Sequence, residues 1–243
     1  RHSSSAASDV YKRQIDMLVY DFKNVAKIKN LKNSESVKPE HAERIAEIPD
    51  SIVKDFDIEK YKSNPPHKNE SIKTIYELIN ISQIPSDDEF TLKMDEVTQS
   101  FKDLCEQLSV DFPKDKVVEL GNVAGSIVLD LKYHYNRPRP YMLAKEFEIP
   151  LDTNKIKNTT ADSPSYPSGH AAQGILISNY LAEINPSHKM EFIKLGKDIA
   201  RSRIVAKVHY PSDVRFGEII GNDIFIYLNL SLIHISEPTR QSP

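Results

Sequence analysis

The chain has 243 residues, 39% of them apolar, with 32 lysines and arginines against 35 aspartates and glutamates, for a net charge of -3 at pH 7. That composition suits a packed core in one domain or two and excludes a disordered chain. It gives no electrostatic reason to bind nucleic acid or an acidic membrane. A single cysteine, Cys105, excludes an internal disulfide framework. No apolar run approaches the roughly 20 residues that a helix needs to cross a bilayer.

Residues 1–14 (RHSSSAASDVYKRQ) and 231–243 (SLIHISEPTRQSP) resemble translated sequencing-adapter read-through. They are set apart from the fold as non-native segments. The N-terminus shows no secretory apolar region, and the chain is expected to be soluble, in the cytoplasm or, if a leader was lost with the natural start, in the periplasm. Residues 15–89 read as a helical N-terminal extension packed on a core of residues 90–230. Within the extension, helical patterns run from Ile45 to Phe56 and again from Ile72 through Ile75, Leu78 and Ile79. Pro85-Ser86-Asp87-Asp88-Glu89 offers an acidic helix start. One further helix carries the stripe Met94, Val97, Phe101, Leu104, Cys105, Leu108, which places Cys105 in the core.

Pro113 opens the next helix, striped by Val117, Leu120, Val123, Ala124, Ile127, Val128 and Leu131, with Lys132 at its end. A long polar stretch, 146–166, follows, and loops of that length are often functional. Helical patterns then cover 168–184, 187–206 and 211–229. No strand alternation and no internal repeat is found, so the fold class is an all-α bundle.

Three short segments in the C-terminal half carry chemistry. In Pro167-Ser168-Gly169-His170, Ser168 can cap a helix and Gly169 lets another group approach the backbone. The free N–H groups of that helix start favour an anion, and His170 faces the same region. Alone, the segment reads equally well as a plain cap followed by a surface histidine. Phe192, Leu195, Ile199, Arg203 and Ala206 share a helix face, so Arg203 points inward. A charge there needs an anion, either a carboxylate or a bound phosphate. His209 and Asp213 stand four apart across Pro211, a residue suited to the first position of a helix. Asp213 can then orient His209 and leave its other ring nitrogen unprotonated, as a nucleophile needs. A purely structural pair is the alternative. Lys132 and Arg139 add cations suited to phosphate oxygens, although alone they read as a solvated basic turn.

Together, Lys132-x6-Arg139-Pro140, Pro167-Ser168-Gly169-His170 and Ser202-Arg203-x5-His209-x3-Asp213 resemble the type 2 phosphatidic acid phosphatase superfamily. Within it, the chain is most similar to the soluble bacterial acid phosphatases. The resemblance implies a helical bundle of the kind shared with vanadium chloroperoxidase. It implies phosphate binding by Lys132, Arg139, Arg203, Ser168 and Gly169, attack by His209 oriented by Asp213, and proton transfer by His170. It also implies a small phosphorylated substrate, no metal, no cofactor, and vanadate as a phosphate-mimicking inhibitor. Whether the chain forms a homo-oligomer is left open. A vanadate-dependent haloperoxidase, a phosphate-binding module with a vestigial site, and a truncated membrane lipid phosphatase are the competing readings. His134 and Arg137 are expected at the surface, as are His41, His67 and His188, while Tyr166 is expected near the pocket mouth.

Overall fold

The structure is a computed structural model that describes residues 22–152 and 161–236. It is all-α, with no strand among the described residues. Of the two terminal segments set apart above, 1–14 lies outside the described residues. Of 231–243 only the helical backbone to Ser236 falls within them. Helices α1 (Phe22–Asn30), α2 (Pro39–Ala46), α3 (Ile72–Ser82), α4 (Asp88–Asp95) and α5 (Val97–Leu108) lead into the long α6 (Lys114–Tyr135). The short α7 (Pro140–Glu146) follows, and then α8 (Gly169–Ile184), α9 (Lys189–Val205) and α10 (Pro211–Ser236). No helix among the described residues is long and apolar enough to cross a membrane.

Helix α8 is the hub, with α6, α9 and α10 packed around it. Its sequence explains the position: Ala171, Leu176, Ile177 and Leu181 are fully buried on different sides of the helix, so it has no solvent face to speak of. Small residues bring its neighbours close. A Cβ on Gly217 of α10 would collide with the Ser168 carbonyl oxygen, and one on Gly221, a turn later, with that of Ala172. Helix α10 therefore lies flush on the first turn of α8, the turn that carries the Ser168-Gly169-His170 motif.

The helices expected over 168–184, 187–206 and 211–229 appear as α8, α9 and α10, and Pro113 precedes α6 as the spacing predicts. Three local expectations are corrected. The Met94–Leu108 stripe is two helices, because Glu96 leaves helical geometry at φ -87° and ψ 71°. Both halves of the stripe still reach the core, through Met94, Phe101 and Cys105. The Ile45–Phe56 pattern is a helix only to Ala46, followed by a short turn at Ile48–Asp50, and Pro49 within that turn disfavours continuation. Helix α7, an addition to the expected elements, starts at Pro140 and packs Leu143 and Phe147 against Ile75, Leu78 and Tyr210.

Asn136 closes α6 in the left-handed region at φ 50°. Its side-chain oxygen accepts the backbone N–H groups of Asn33 and Ser34, each at 3.1 Å. That cap turns the chain inward at Arg137.

Candidate active site

Helix α9 ends at Val205, and Lys207, at φ 57°, reverses the chain. The Arg203 carbonyl then accepts both the Val208 and the His209 N–H, which carries His209 back to the level of Arg203. Pro211 opens α10, so Asp213 is its third residue. From there the Asp213 Oδ2 reaches back to the Tyr210 N–H at 3.0 Å, the reciprocal bond of a capping box. The same oxygen faces His209 Nδ1 at 3.3 Å. A carboxylate only accepts, so Nδ1 carries the hydrogen. Arg139 Nη1 donates to His209 Nε2 at 2.9 Å, so Nε2 is unprotonated. Burial and then the Arg139 charge push the His209 pKa well below its ordinary value, with Asp213 opposing.

Asp213 is itself fully buried and closely supported. Arg137 Nη1 donates to its Oδ1 at 2.5 Å, and Ser165 Oγ to its Oδ2 at 2.5 Å. Burial alone would raise the Asp213 carboxyl, but the Arg137 guanidinium, with His209 and Ser165, holds it well below the usual carboxylate range. Arg137 also meets Glu77 Oε2 of α3 at 3.2 Å and lies 3.7 Å over the Tyr210 ring. Glu77 in turn accepts the Ser212 N–H at 2.7 Å, at the start of α10. Arg137 is thus buried, 2% exposed, and the surface position expected for it is corrected. Tyr166 is corrected as well: it is buried, stacked on Phe216 at 4.9 Å, and does not line the cleft.

Lys132, Arg139, Gly169, His170 and His209 converge on one cleft of about 340 Å³. A hollow of about 1170 Å³ between α1 and the 65–70 turn holds none of the eight candidate site residues. Lys132 Nζ donates to the Pro164 carbonyl, and Arg139 Nε to the Ser163 carbonyl at 2.8 Å. Burial, then the neighbouring Arg139, lowers the Lys132 pKa well below its ordinary value. Burial, then Arg203, brings Arg139 down to about 10. Ser168 caps α8 by accepting the Ala171 N–H at 3.4 Å, and its own N–H is held by the Asp213 carbonyl at 3.0 Å. A Cβ on Gly169 would meet nothing closer than Val128 at 3.7 Å, so packing does not require the glycine. Arg203 is 1% exposed, as its inward helix face predicts, and its Nε has no hydrogen-bond partner among the described residues.

The opposite wall holds His170 and one further acidic residue. Asp95, at the end of α4, contacts both His170 and Arg203 Nη1. No motif marks it, and its partners lie 75 and 108 residues away. His41 is not a surface residue: it is 8% exposed, lines the cleft and meets Tyr133 Oη at 2.7 Å. Its ring, Glu40 and Asp162 could each offer one atom to a cation, all within 4.8 Å of one another. Asp162 is already paired with Lys38 at 2.8 Å, however, so the group is better described as a strap tying α2 to the loop before α8. His134 is exposed, as expected, while His67 and His188 are half-buried.

All three motifs fall within residues 119–231, which match the family model of the PAP2 superfamily. A non-specific acid phosphatase of Salmonella typhimurium is 34% identical over 90 residues, 37% of this chain and 35% of that protein. An acid phosphatase of Zymomonas mobilis is 34% identical over 91 residues, 37% of this chain and 33% of its own. A non-specific acid phosphatase of Providencia stuartii is 31% identical over 91 residues, 37% of this chain and 36% of its own. The matched stretch spans about a third of the length of these curated relatives. Among solved structures, a bacterial vanadium-dependent iodoperoxidase aligns over 82% of this chain and 51% of its own, with 16% identity and a TM-score of 0.40. Residues 119–231, which carry all three motifs, are thus the part of the chain that is similar to the PAP2 superfamily.

Proposed function

We propose that this chain hydrolyses phosphate monoesters through a phosphohistidine on His209. The observation that carries the reading is the state of His209: Nδ1–H bound to Asp213 and a bare Nε2 facing a cleft lined by cations. A nucleophilic imidazole needs that tautomer. The named activity of the acid phosphatase relatives supports hydrolysis of phosphate esters.

In the first step His209 Nε2 forms a bond to phosphorus while the bond to the leaving oxygen breaks. His170 gives its proton to that oxygen. In the second step water attacks phosphorus, His170 takes a proton from it, and the electron pair of the P–N bond returns to Nε2. The products are an alcohol and inorganic phosphate. Lys132, Arg139 and Arg203 neutralise the phosphoryl oxygens, with Ser168 and the Gly169 N–H as further donors. A buried guanidinium N–H without an acceptor, as at Arg203 Nε, costs about 1–3 kcal/mol, and a phosphate oxygen that reached it would relieve that cost. Arg139 leaves Nε2 and turns to the phosphate as the substrate enters. Three cations supply the charge neutralisation for which other phosphatases use a metal, so no cofactor is called for. Residues 22–89, the described part of the 15–89 extension, serve to brace this core.

The test is release of p-nitrophenol from its phosphate ester. Turnover is expected to survive EDTA and to be inhibited competitively by vanadate, whereas activity abolished by EDTA would point to a metallophosphatase. The profile of kcat/KM against pH is expected to peak on the acid side of neutrality. His209 must be neutral and His170 protonated, and burial lowers both histidines in the empty site, with Arg139 adding to the effect at His209 and Arg203 at His170. An alkaline optimum would contradict these assignments.

Gly169→Ala separates ligand approach from folding. The added methyl finds ordinary room in the protein, so Tm is expected to stay within about 2 °C of wild type. The Ki of vanadate is expected to rise about tenfold, because the methyl stands where a phosphate oxygen would approach the N–H groups of α8. An unchanged Ki would remove Gly169 from the binding site.

A further inference from the structure

The break between α4 and α5 has a chemical result. It leaves both the backbone carbonyl and the carboxylate of Asp95 facing His170. The Nε2 atom of His170 lies 3.1 Å from the Asp95 carbonyl oxygen and 3.1 Å from Asp95 Oδ1. Both oxygens only accept, so Nε2 carries the hydrogen and Nδ1 is the atom whose proton comes and goes. The same Oδ1 accepts from Arg203 Nη1, and the Asp95 side chain is 11% exposed. His209 is held the other way round, with Nδ1 tied to Asp213 and Nε2 facing the cleft. Each histidine thus has one nitrogen fixed by an aspartate and the other available for chemistry. Asp95 lies before residues 119–231, so it comes from a part of the chain that the family match does not reach.

We propose that Asp95 is a positioning residue for the acid–base half of the reaction: it fixes His170 with Nδ1 toward the substrate and anchors Arg203 beside it. This rests on the reading of His170 as the proton donor. The charges around His170 favour such a role. Arg203 from α9 touches Asp95, Lys132 comes from α6, and Arg139 and His209 face across the cleft. Helix α2 contributes His41 and Arg44, and the two other carboxylates on the cleft wall are Glu96 and Asp162. Asp162 is already paired with Lys38, so Asp95 is the anion in contact with the imidazole. Burial and then Arg203 lower the His170 pKa, and Asp95 opposes them. Without its charge, His170 loses its proton at lower pH, and less of it is protonated at the upper end of the working range.

Asp95→Asn keeps the size and an acceptor oxygen but removes the charge. The alkaline limb of kcat/KM is expected to move down by about one pH unit. The loss is expected to depend on the leaving group. An alkyl phosphate, whose alkoxide must be protonated, loses about tenfold more in kcat/KM than p-nitrophenyl phosphate, whose phenolate leaves with little help. Equal losses on both substrates with no pH shift would reduce Asp95 to a structural role and overturn the proposal. A measurement on the wild-type protein guards against a variant that fails to fold. Nitrogen NMR of the histidines near neutral pH should show His170 as the Nε2–H tautomer, and an Nδ1–H tautomer would overturn the proposal equally. If the wild-type protein hydrolysed no phosphate ester, the phosphatase reading would fall, and the tautomer measurement would still decide the placement of His170 by Asp95.

Discussion

Alanine at position 209 is expected to lower kcat for p-nitrophenyl phosphate by about four orders of magnitude or more, with only a modest change in Tm. The two halves of that expectation have separate physical causes. Turnover falls because the other histidines on the cleft are engaged: His170 has Nε2 committed to Asp95 and, in the proposed mechanism, serves as the proton donor, while His41 meets Tyr133 and Asp162. The fold survives because Asp213 does not depend on the imidazole. With His209 gone, its carboxylate still accepts from Arg137, Ser165 and the Tyr210 N–H. A second readout identifies the intermediate directly. Wild-type protein quenched during turnover of a labelled substrate should hold label that is stable to alkali and released by acid, as a P–N bond requires. His209→Ala should hold none. Activity near the wild-type level would falsify His209 as the nucleophile.

What the sequence makes legible is local. Ser168 three residues before an apolar run, Arg203 on an apolar helix face, and His209 four residues from Asp213 are relations within one or two helical turns. Backbone geometry alone turns such spacings into neighbours. The helices α6, α8, α9 and α10 were readable for the same reason. The supports of these residues are not local. Glu77 reaches Ser212 across 135 residues of sequence, and Asp95 reaches Arg203 across 108. Nothing in the composition around Glu77 or Asp95 distinguishes them from solvated acids, and it is the packing of α3 and α4 on the core that brings them in. Arg137 shows the limit most clearly. Within Lys132-x6-Arg139 it occupies one of the unspecified positions, and a surface place was the natural expectation. The left-handed cap at Asn136 turns it inward instead. The α4–α5 break is hidden in the same way: Met94, Phe101 and Cys105 keep the helical stripe because both helices face one core, so periodicity does not register Glu96 as an interruption.

Arg137 consequently carries the largest expected effect on stability. Its guanidinium, with a side chain 1% exposed, lies between Asp213, 0% exposed, and Glu77, 12% exposed. Arg137→Ala leaves one carboxylate fully buried and a second nearly so without their cation. Breaking such a buried arrangement from one side costs about 3–5 kcal/mol, which in a chain of this size lowers Tm on the order of 10 °C. The loss should depend on pH in a definite direction. Asp213 is held well below the usual carboxylate range, so its contribution is fully present above the unfolded value of about 3.9 and is lost as pH falls toward the folded value. Arg137→Ala relieves that depression. The gap in stability between wild type and variant should therefore be widest near neutral pH and should narrow as pH drops below about 4. Thermal melts of both proteins across that range test the sign, and a gap that widened toward acid pH would rule out Asp213 as the main partner of Arg137. The catalytic consequence follows through the same carboxylate. An Asp213 freed from Arg137 no longer fixes the Nδ1–H tautomer of His209 as firmly, so kcat should fall about 10- to 100-fold while KM, which the proposed mechanism assigns to Lys132, Arg139 and Arg203, changes little.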